Sequence, residues 1–251
     1  MENMSETQFF VTPQGRRIAY HLTDGTGPAI VFMGGFKSDM GGTKAIFLEK
    51  WARDSGRPFL RFDYSGHGES SEAFTDGTIG DWFEDACSAI GLLAGPVILV
   101  GSSMGGWISL LVARAMPEKV AGMVTIAAAP DFTEDSMWAG FSDDQKAELM
   151  AGQVALPSDY GEPYIITRRL IEEGRERLVL RDPLVLNFPV RSLQGTADAD
   201  VKMSVALRLL EHAQSPDMQL TLVDGADHRF SDDTCLSLIV TTVEEVLALI
   251  H

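Results

Sequence analysis

Between residues 97 and 107 the chain reads Val-Ile-Leu-Val-Gly-Ser-Ser-Met-Gly-Gly-Trp, and few folds accommodate such a run. Four apolar residues, three of them β-branched, make a buried strand, and an apolar helical pattern starts at once behind it. A strand that becomes a helix without an intervening loop turns so sharply that the residues packed around the turn have to be small. Gly101 and Gly105 meet that need on either side of Ser103. Ser102 has no glycine two residues before it, so the register selects Ser103 as the exposed hydroxyl. The free amides at the start of the helix point at the turn, where they suit a developing negative charge. A Gly-x-Ser-x-Gly pentapeptide alone is a weak signal; between a strand and a helix start it marks a nucleophilic serine.

The rest of the chain extends this strand–helix pattern. Residues 9–12 and 16–22 read as a hairpin around Pro13-Gln14-Gly15. Strands are expected at 29–32, 58–63, 97–100, 120–127, 190–193 and 218–223. Helical spacing occupies 43–55, 79–93, 107–116, 201–212 and 234–250. The strands are too continuously apolar for a half-exposed sheet. The expected fold is therefore α/β, a mostly parallel eight-stranded sheet with helices on both faces and the hairpin as its antiparallel edge. The rhythm breaks at 131–182, a more polar stretch carrying Trp138, Phe141, Tyr160 and Tyr164. It holds two short helical stretches, one capped by Ser142 and one by Thr167 that runs to about Leu178. The expected organisation is a core of 1–130 and 183–251 with a lid or cap inserted at 131–182. Ligands bind beyond the C-terminal ends of parallel strands, where the serine lies, so the insertion is expected to cover it.

Composition excludes several classes. With Lys+Arg 20 against Asp+Glu 36, the formal net charge of −16 disfavours nucleic acid and anionic membrane surfaces. No apolar run approaches the ~20 residues of a membrane span. Residues 1–7 are polar, with neither a basic region nor an apolar signal core, so the expected address is cytoplasmic. Cys87 and Cys235 lie far apart among apolar residues and read as reduced core thiols.

A serine hydroxyl needs a base, and the base needs an orienting acid. Of five histidines, His228 follows a strand end and a turn and precedes the last helix. His67 also follows a strand, but it precedes the serine and sits in the glycine turn Ser65-Gly66-His67-Gly68, which reads as loop structure. His21 in the hairpin, His212 at a helix end and His251 at the terminus do not suit a base. The acid is expected in the loop after strand 190–193, where Asp198 is preferred to Asp200; Asp227, beside the base in sequence, reads as a turn residue. Two amides should hold an oxyanion. One is that of Met104; the other comes from Gly34-Gly35-Phe36, with Phe36 preferred to Gly35. Met137, Trp138 and Phe141 are candidates for a substrate wall. The acidic residues near His228 (Asp224, Asp227, Asp232, Asp233) lack the spacing of a metal site, and no Gly-Lys-Ser/Thr follows residues 65–68. No metal and no cofactor are expected.

This constellation resembles the α/β-hydrolase superfamily over almost the whole chain. Within it, the sequence is similar to mitochondrial acyl-protein thioesterases (depalmitoylases) and acyl-glucuronide esterases and their bacterial relatives. The likeness is carried by Gly34-Gly35-Phe36-Lys37-Ser38-Asp39-Met40 with Gly42-Thr43-Lys44-Ala45, Arg61-Phe62-Asp63-Tyr64-Ser65-Gly66-His67-Gly68, Val100 to Trp107, and Asp227-His228-Arg229. It implies a nucleophile at Ser103, an acid at Asp198 and a base at His228. With no targeting segment read in this chain, a mitochondrial address is not carried over from the family. The expected activity is hydrolysis of carboxylic esters or thioesters of small or acylated substrates. The alternatives are a non-catalytic binder of the same fold, or a perhydrolase or lyase using the same triad.

Overall fold

The computed structural model describes residues 6–157 and 163–250; Tyr160, His251 and the first five residues lie outside them. In chain order the elements begin with β1 (Gln8–Val11), β2 (Arg17–Thr23), β3 (Ala29–Met33), α1 (Thr43–Asp54), β4 (Phe59–Phe62), α2 (Ile79–Gly91), β5 (Val97–Ser102), α3 (Met104–Ala115) and β6 (Val120–Ile126). A π-helical turn (Thr133–Trp138), α4 (Asp143–Met150), β7 (Gln153–Leu156), β8 (Tyr164–Thr167) and α5 (Arg168–Arg175) follow. The chain closes with β9 (Leu184–Val185), β10 (Val190–Gly195), α6 (Met203–His212), β11 (Ala213–Gln214), β12 (Met218–Val223) and α7 (Asp233–Leu249).

Eight strands form one sheet in the order β1-β2-β4-β3-β5-β6-β10-β12. Only β2 runs against its neighbours; every pairing from β4 to β12 is parallel. Successive side chains of a strand point to opposite faces, and the central strands use both. Val31 and Met33 of β3 and Leu99 of β5 enter one apolar cluster with α2 and α3. Ile30, Phe32, Ile98 and Val100 enter the other, with α1 and α7. Two buried faces explain the continuous apolar runs in the sequence and the doubly covered sheet.

The segment after β6 differs from its sequence reading in detail. Ser142 and Thr167 cap α4 and α5 as expected, Ser142 in a capping box with Gln145. Yet α5 ends at Arg175, and β7 and β8 form an antiparallel hairpin. These four-residue strands fully bury only Val154 and Ile166, too little alternation to register as strands. A buried carboxylate fastens the base of this segment. Asp131 accepts the amides of Val179 (2.8 Å) and Leu180 (3.0 Å), joining its first residue to its return path.

Candidate active site

The elbow is built by close backbone contact. Ser103 has φ 54° and ψ −118°, a left-handed conformation rarely adopted by residues other than glycine. Its amide donates to the Ile126 carbonyl of β6 at 2.9 Å. A Cβ on Gly101 would meet the Gly105 carbonyl oxygen at 2.4 Å, and one on Gly105 would meet that of Met33 at 2.0 Å. Neither gap leaves room for a methyl group, so strand and helix close on the serine only with glycine at both places. Helix α3 starts at Met104, three residues before its apolar pattern suggested, because the glycines belong to the helix.

Three loops converge here, following β5, β10 and β12. His228 Nε2 lies 3.1 Å from Ser103 Oγ, and its Nδ1 lies 2.9 Å from Asp198 Oδ2. A carboxylate only accepts, so Nδ1 carries the proton and Nε2 is free to accept from the serine hydroxyl. The Asp198 side chain is fully buried, whereas that of His228 keeps 22% of its surface exposed. Burial opposes charge on Asp198. The His228 imidazole, the Val201 amide and Gln194 together outweigh it and hold the carboxyl below the usual carboxylate range.

The neighbours of Asp198 separate it from the alternatives. Asp200 is exposed and contributes its amide, which donates to Asp198 Oδ1 at 2.9 Å, as does that of Val201 at 2.8 Å. Asp227 accepts the Phe230 amide at 3.1 Å and shapes the turn after His228. Lys44 Nζ donates to the Arg229 carbonyl and ties α1 to the same turn. Asp198, Asp200 and His228 present possible metal-ligand atoms within 4.8 Å of one another, but both Asp198 oxygens are already engaged.

Gln194 was not anticipated from sequence. It is the penultimate residue of β10, buried like the rest of that strand, and its Nε2 donates to Asp198 Oδ2 at 3.0 Å and approaches the Gly195 and Val201 carbonyls at 3.2 Å. The available signal was a lone amide inside a strand buried on both faces, which must find partners. Strand β10 runs two residues past its expected end, and that extension brings Gln194 against Asp198.

On the other side of Ser103 lies the loop after β3. A Cβ on Gly35 would sit 3.4 Å from that of Ser103, so the Gly35–Phe36 backbone lies against the serine. The Phe36 ring packs edge-on against Phe74, Trp82 and Phe132 and tilts against Tyr164, with centroids 4.9 to 6.1 Å apart. Of the wall candidates, Phe141 is buried in the core, and Met137 and Trp138 pack partly buried in the π-helical turn. Trp138 lies between the Arg175 guanidinium (4.6 Å) and Lys146 Nζ (5.5 Å). Among the described residues, Phe132 and Tyr164 are the insertion-segment rings that contact Phe36; Phe132 was not singled out from sequence.

The two cysteines are free thiols, Cys87 half-buried and Cys235 buried. Burial pushes the Cys87 thiol up to about 12 and that of Cys235 up to about 11.

Comparison with known proteins agrees with this architecture. A family model described as the alpha/beta hydrolase family matches residues 30–242. A human relative named palmitoyl-protein thioesterase ABHD10, mitochondrial, is 35% identical over 243 residues, covering 95% of this chain and 79% of the relative. The solved structure of mouse alpha/beta hydrolase domain-containing protein 10 superposes with a TM-score of 0.90 at 32% identity, covering 97% of this chain and 99% of that one. The crystal structure of an Agrobacterium vitis S4 protein superposes with a TM-score of 0.93 at 40% identity, covering 96% and 98%. The chain belongs to the alpha/beta hydrolase family, and it is a hydrolase of carboxylic esters or thioesters.

One expectation is overturned. The cytoplasmic address does not stand, because relatives matching 92–95% of the chain are named mitochondrial. Its basis was the polar character of residues 1–7, with neither a basic region nor an apolar signal core read there, and a polar stretch of that kind encodes no address. Among the described residues no helix is long and apolar enough to cross a membrane.

Proposed function

We propose that this hydrolase works through an acyl-enzyme formed on Ser103. The Ser103 oxygen attacks the acyl carbonyl while His228 Nε2 takes the hydroxyl proton, and Asp198 stabilises the imidazolium that results. The amides of Met104 and Phe36 hold the tetrahedral oxyanion. First-turn amides of a helix have no intrahelical acceptor, so that of Met104 is available for this. The intermediate collapses as His228 returns the proton to the leaving thiol or alcohol. Water, deprotonated by the same base, then releases the acid and restores Ser103. No metal or cofactor enters any step. The observation that carries this reading is the unbroken relay of Asp198, His228 and Ser103 at 2.9 and 3.1 Å.

The substrate is a long-chain acyl thioester, by analogy with relatives named palmitoyl-protein thioesterases. Residues 131–182 act as the lid, and Met137, Trp138 and Phe141 join Phe36, Phe132 and Tyr164 in an apolar wall for the chain. Ser103→Ala lowers turnover of p-nitrophenyl esters and acyl-coenzyme A about 10⁴-fold or more, and a fluorophosphonate labels the wild type at Ser103. Activity retained in the folded variant would overturn the mechanism.

A further inference from the structure

The glycine turn 65–68 reaches across to the loop after β3, and its central residue makes two bonds that demand one protonation state. His67 is buried, with only 4% of its surface exposed. Its Nδ1 lies 3.1 Å from the Ser65 carbonyl, which only accepts, and its Nε2 lies 3.2 Å from the Lys37 amide, which only donates. Both contacts are hydrogen bonds only when the ring is neutral with the proton on Nδ1. The edges and faces of Tyr64, Phe74 and Trp82 surround the ring at 5.2 to 5.7 Å. This burial draws its pKa down to about 4, against the opposing pull of the Ser65 carbonyl and Asp39.

The far end of this contact is a strained turn. Ser38 donates its amide to the Gly35 carbonyl at 3.1 Å, closing a turn whose third residue, Lys37, has φ 59°. Such a turn is of type II, which favours glycine at that place. A lysine there has reason to flip the Phe36–Lys37 peptide toward type I. The flip would turn the Lys37 amide away from His67 and loosen the turn that holds the Gly35–Phe36 backbone against Ser103. Asp63 accepts the Met40 amide at 2.6 Å and Arg61 donates to the Met40 carbonyl at 3.0 Å, so the end of the loop is pinned as well.

We propose that His67 is a positioning residue for the oxyanion hole, locking the Gly35–Ser38 turn so that the Phe36 amide faces the acyl oxygen at Ser103. His67 itself touches no substrate. The role rests on the proposed oxyanion pair, Phe36 and Met104.

His67→Phe keeps the ring and removes the acceptor. Its kcat falls about 10- to 100-fold, short of the ~10²–10³ expected from deleting a donor outright, while KM stays within about twofold. A trifluoromethyl ketone, whose serine adduct carries the oxyanion, binds more weakly by the same factor. His67→Gln restores an acceptor and keeps at least about a third of wild-type kcat. Long-range ¹H–¹⁵N spectra of the wild type show a neutral ring protonated at Nδ1 at pH 7, a result that does not depend on any variant folding. Wild-type kcat in folded His67→Phe, equal losses in the two variants, or a ring charged or protonated at Nε2 would overturn the role. Activity in Ser103→Ala would instead overturn the mechanism beneath it, so the two failures are distinguishable.

Discussion

The elbow and the segment after β6 are neighbours held by different physics. At the elbow, a carbonyl oxygen lies 2.0 Å from where a Gly105 Cβ would be, and Ser103 keeps a left-handed backbone because strand, helix and β6 leave it no alternative. The segment 131–182 buries Leu149, Ile166, Leu170 and Ile171 in the core without such backbone contacts, and polar groups fasten it as well. Besides the Asp131 clamp, Arg175 pairs with Glu134, Arg181 and Arg208 pair with Asp135, and Trp107 donates to the Arg177 carbonyl. Partly exposed ion pairs of this kind are each worth about 0–1 kcal/mol. On the proposed function the contrast divides the labour: close backbone packing holds the Ser103 geometry rigid, while the side chains of 131–182 can be exchanged one at a time.

The comparison breaks most visibly at Gly105. Gly105→Ala forces a methyl into the Met33 carbonyl and destabilises the fold by about 3 kcal/mol or more, read as a fall in Tm with loss of all esterase activity. An active variant of unchanged Tm would show that the elbow has slack. Asp198→Asn leaves the packing intact but spoils the tautomer of His228, and kcat falls about 10⁴-fold. The same change tests stability against pH. The folded-state pKa of Asp198 lies below its ordinary 3.8, so the carboxylate's contribution is present above that value and is lost as pH falls through the folded pKa. The acid limb of a stability–pH curve should therefore be shallower in the variant below about pH 4. The smallest effects belong to the insertion. Tyr164→Ala, which removes a ring against Phe36, should shift acyl-length preference about tenfold, measured as the kcat/KM ratio for long over short p-nitrophenyl esters. Trp138→Ala should shift it only about threefold, because that ring is already occupied by Arg175 and Lys146. Equal shifts, or none, would erase the distinction between the two rings.

Much of this was legible in the chain. Strands buried on both faces announced the sheet, since alternation is lost when each face is covered. Ser103 was legible because only glycine at 101 and 105 tolerates the turn, and His228 because chain order and placement left few competitors. Gln194 was not, because a glutamine at a strand end reads as a solvated edge until the strand proves two residues longer. The β7–β8 hairpin was missed because too few of its residues are buried to set a period. His67 was correctly read as loop structure, but what it braces lies thirty residues away.

The sequence by itself determined the sheet, the elbow and the order of the three groups proposed for catalysis, because these follow from local sterics and from periodic burial. Only the tertiary structure decided which amide meets Asp198, which rings face Phe36, and that the His67 ring accepts from the Lys37 amide in the loop beside Ser103. Each of those depends on distances between segments remote in the chain, set by how the sheet twists and packs rather than by any residue's own preference.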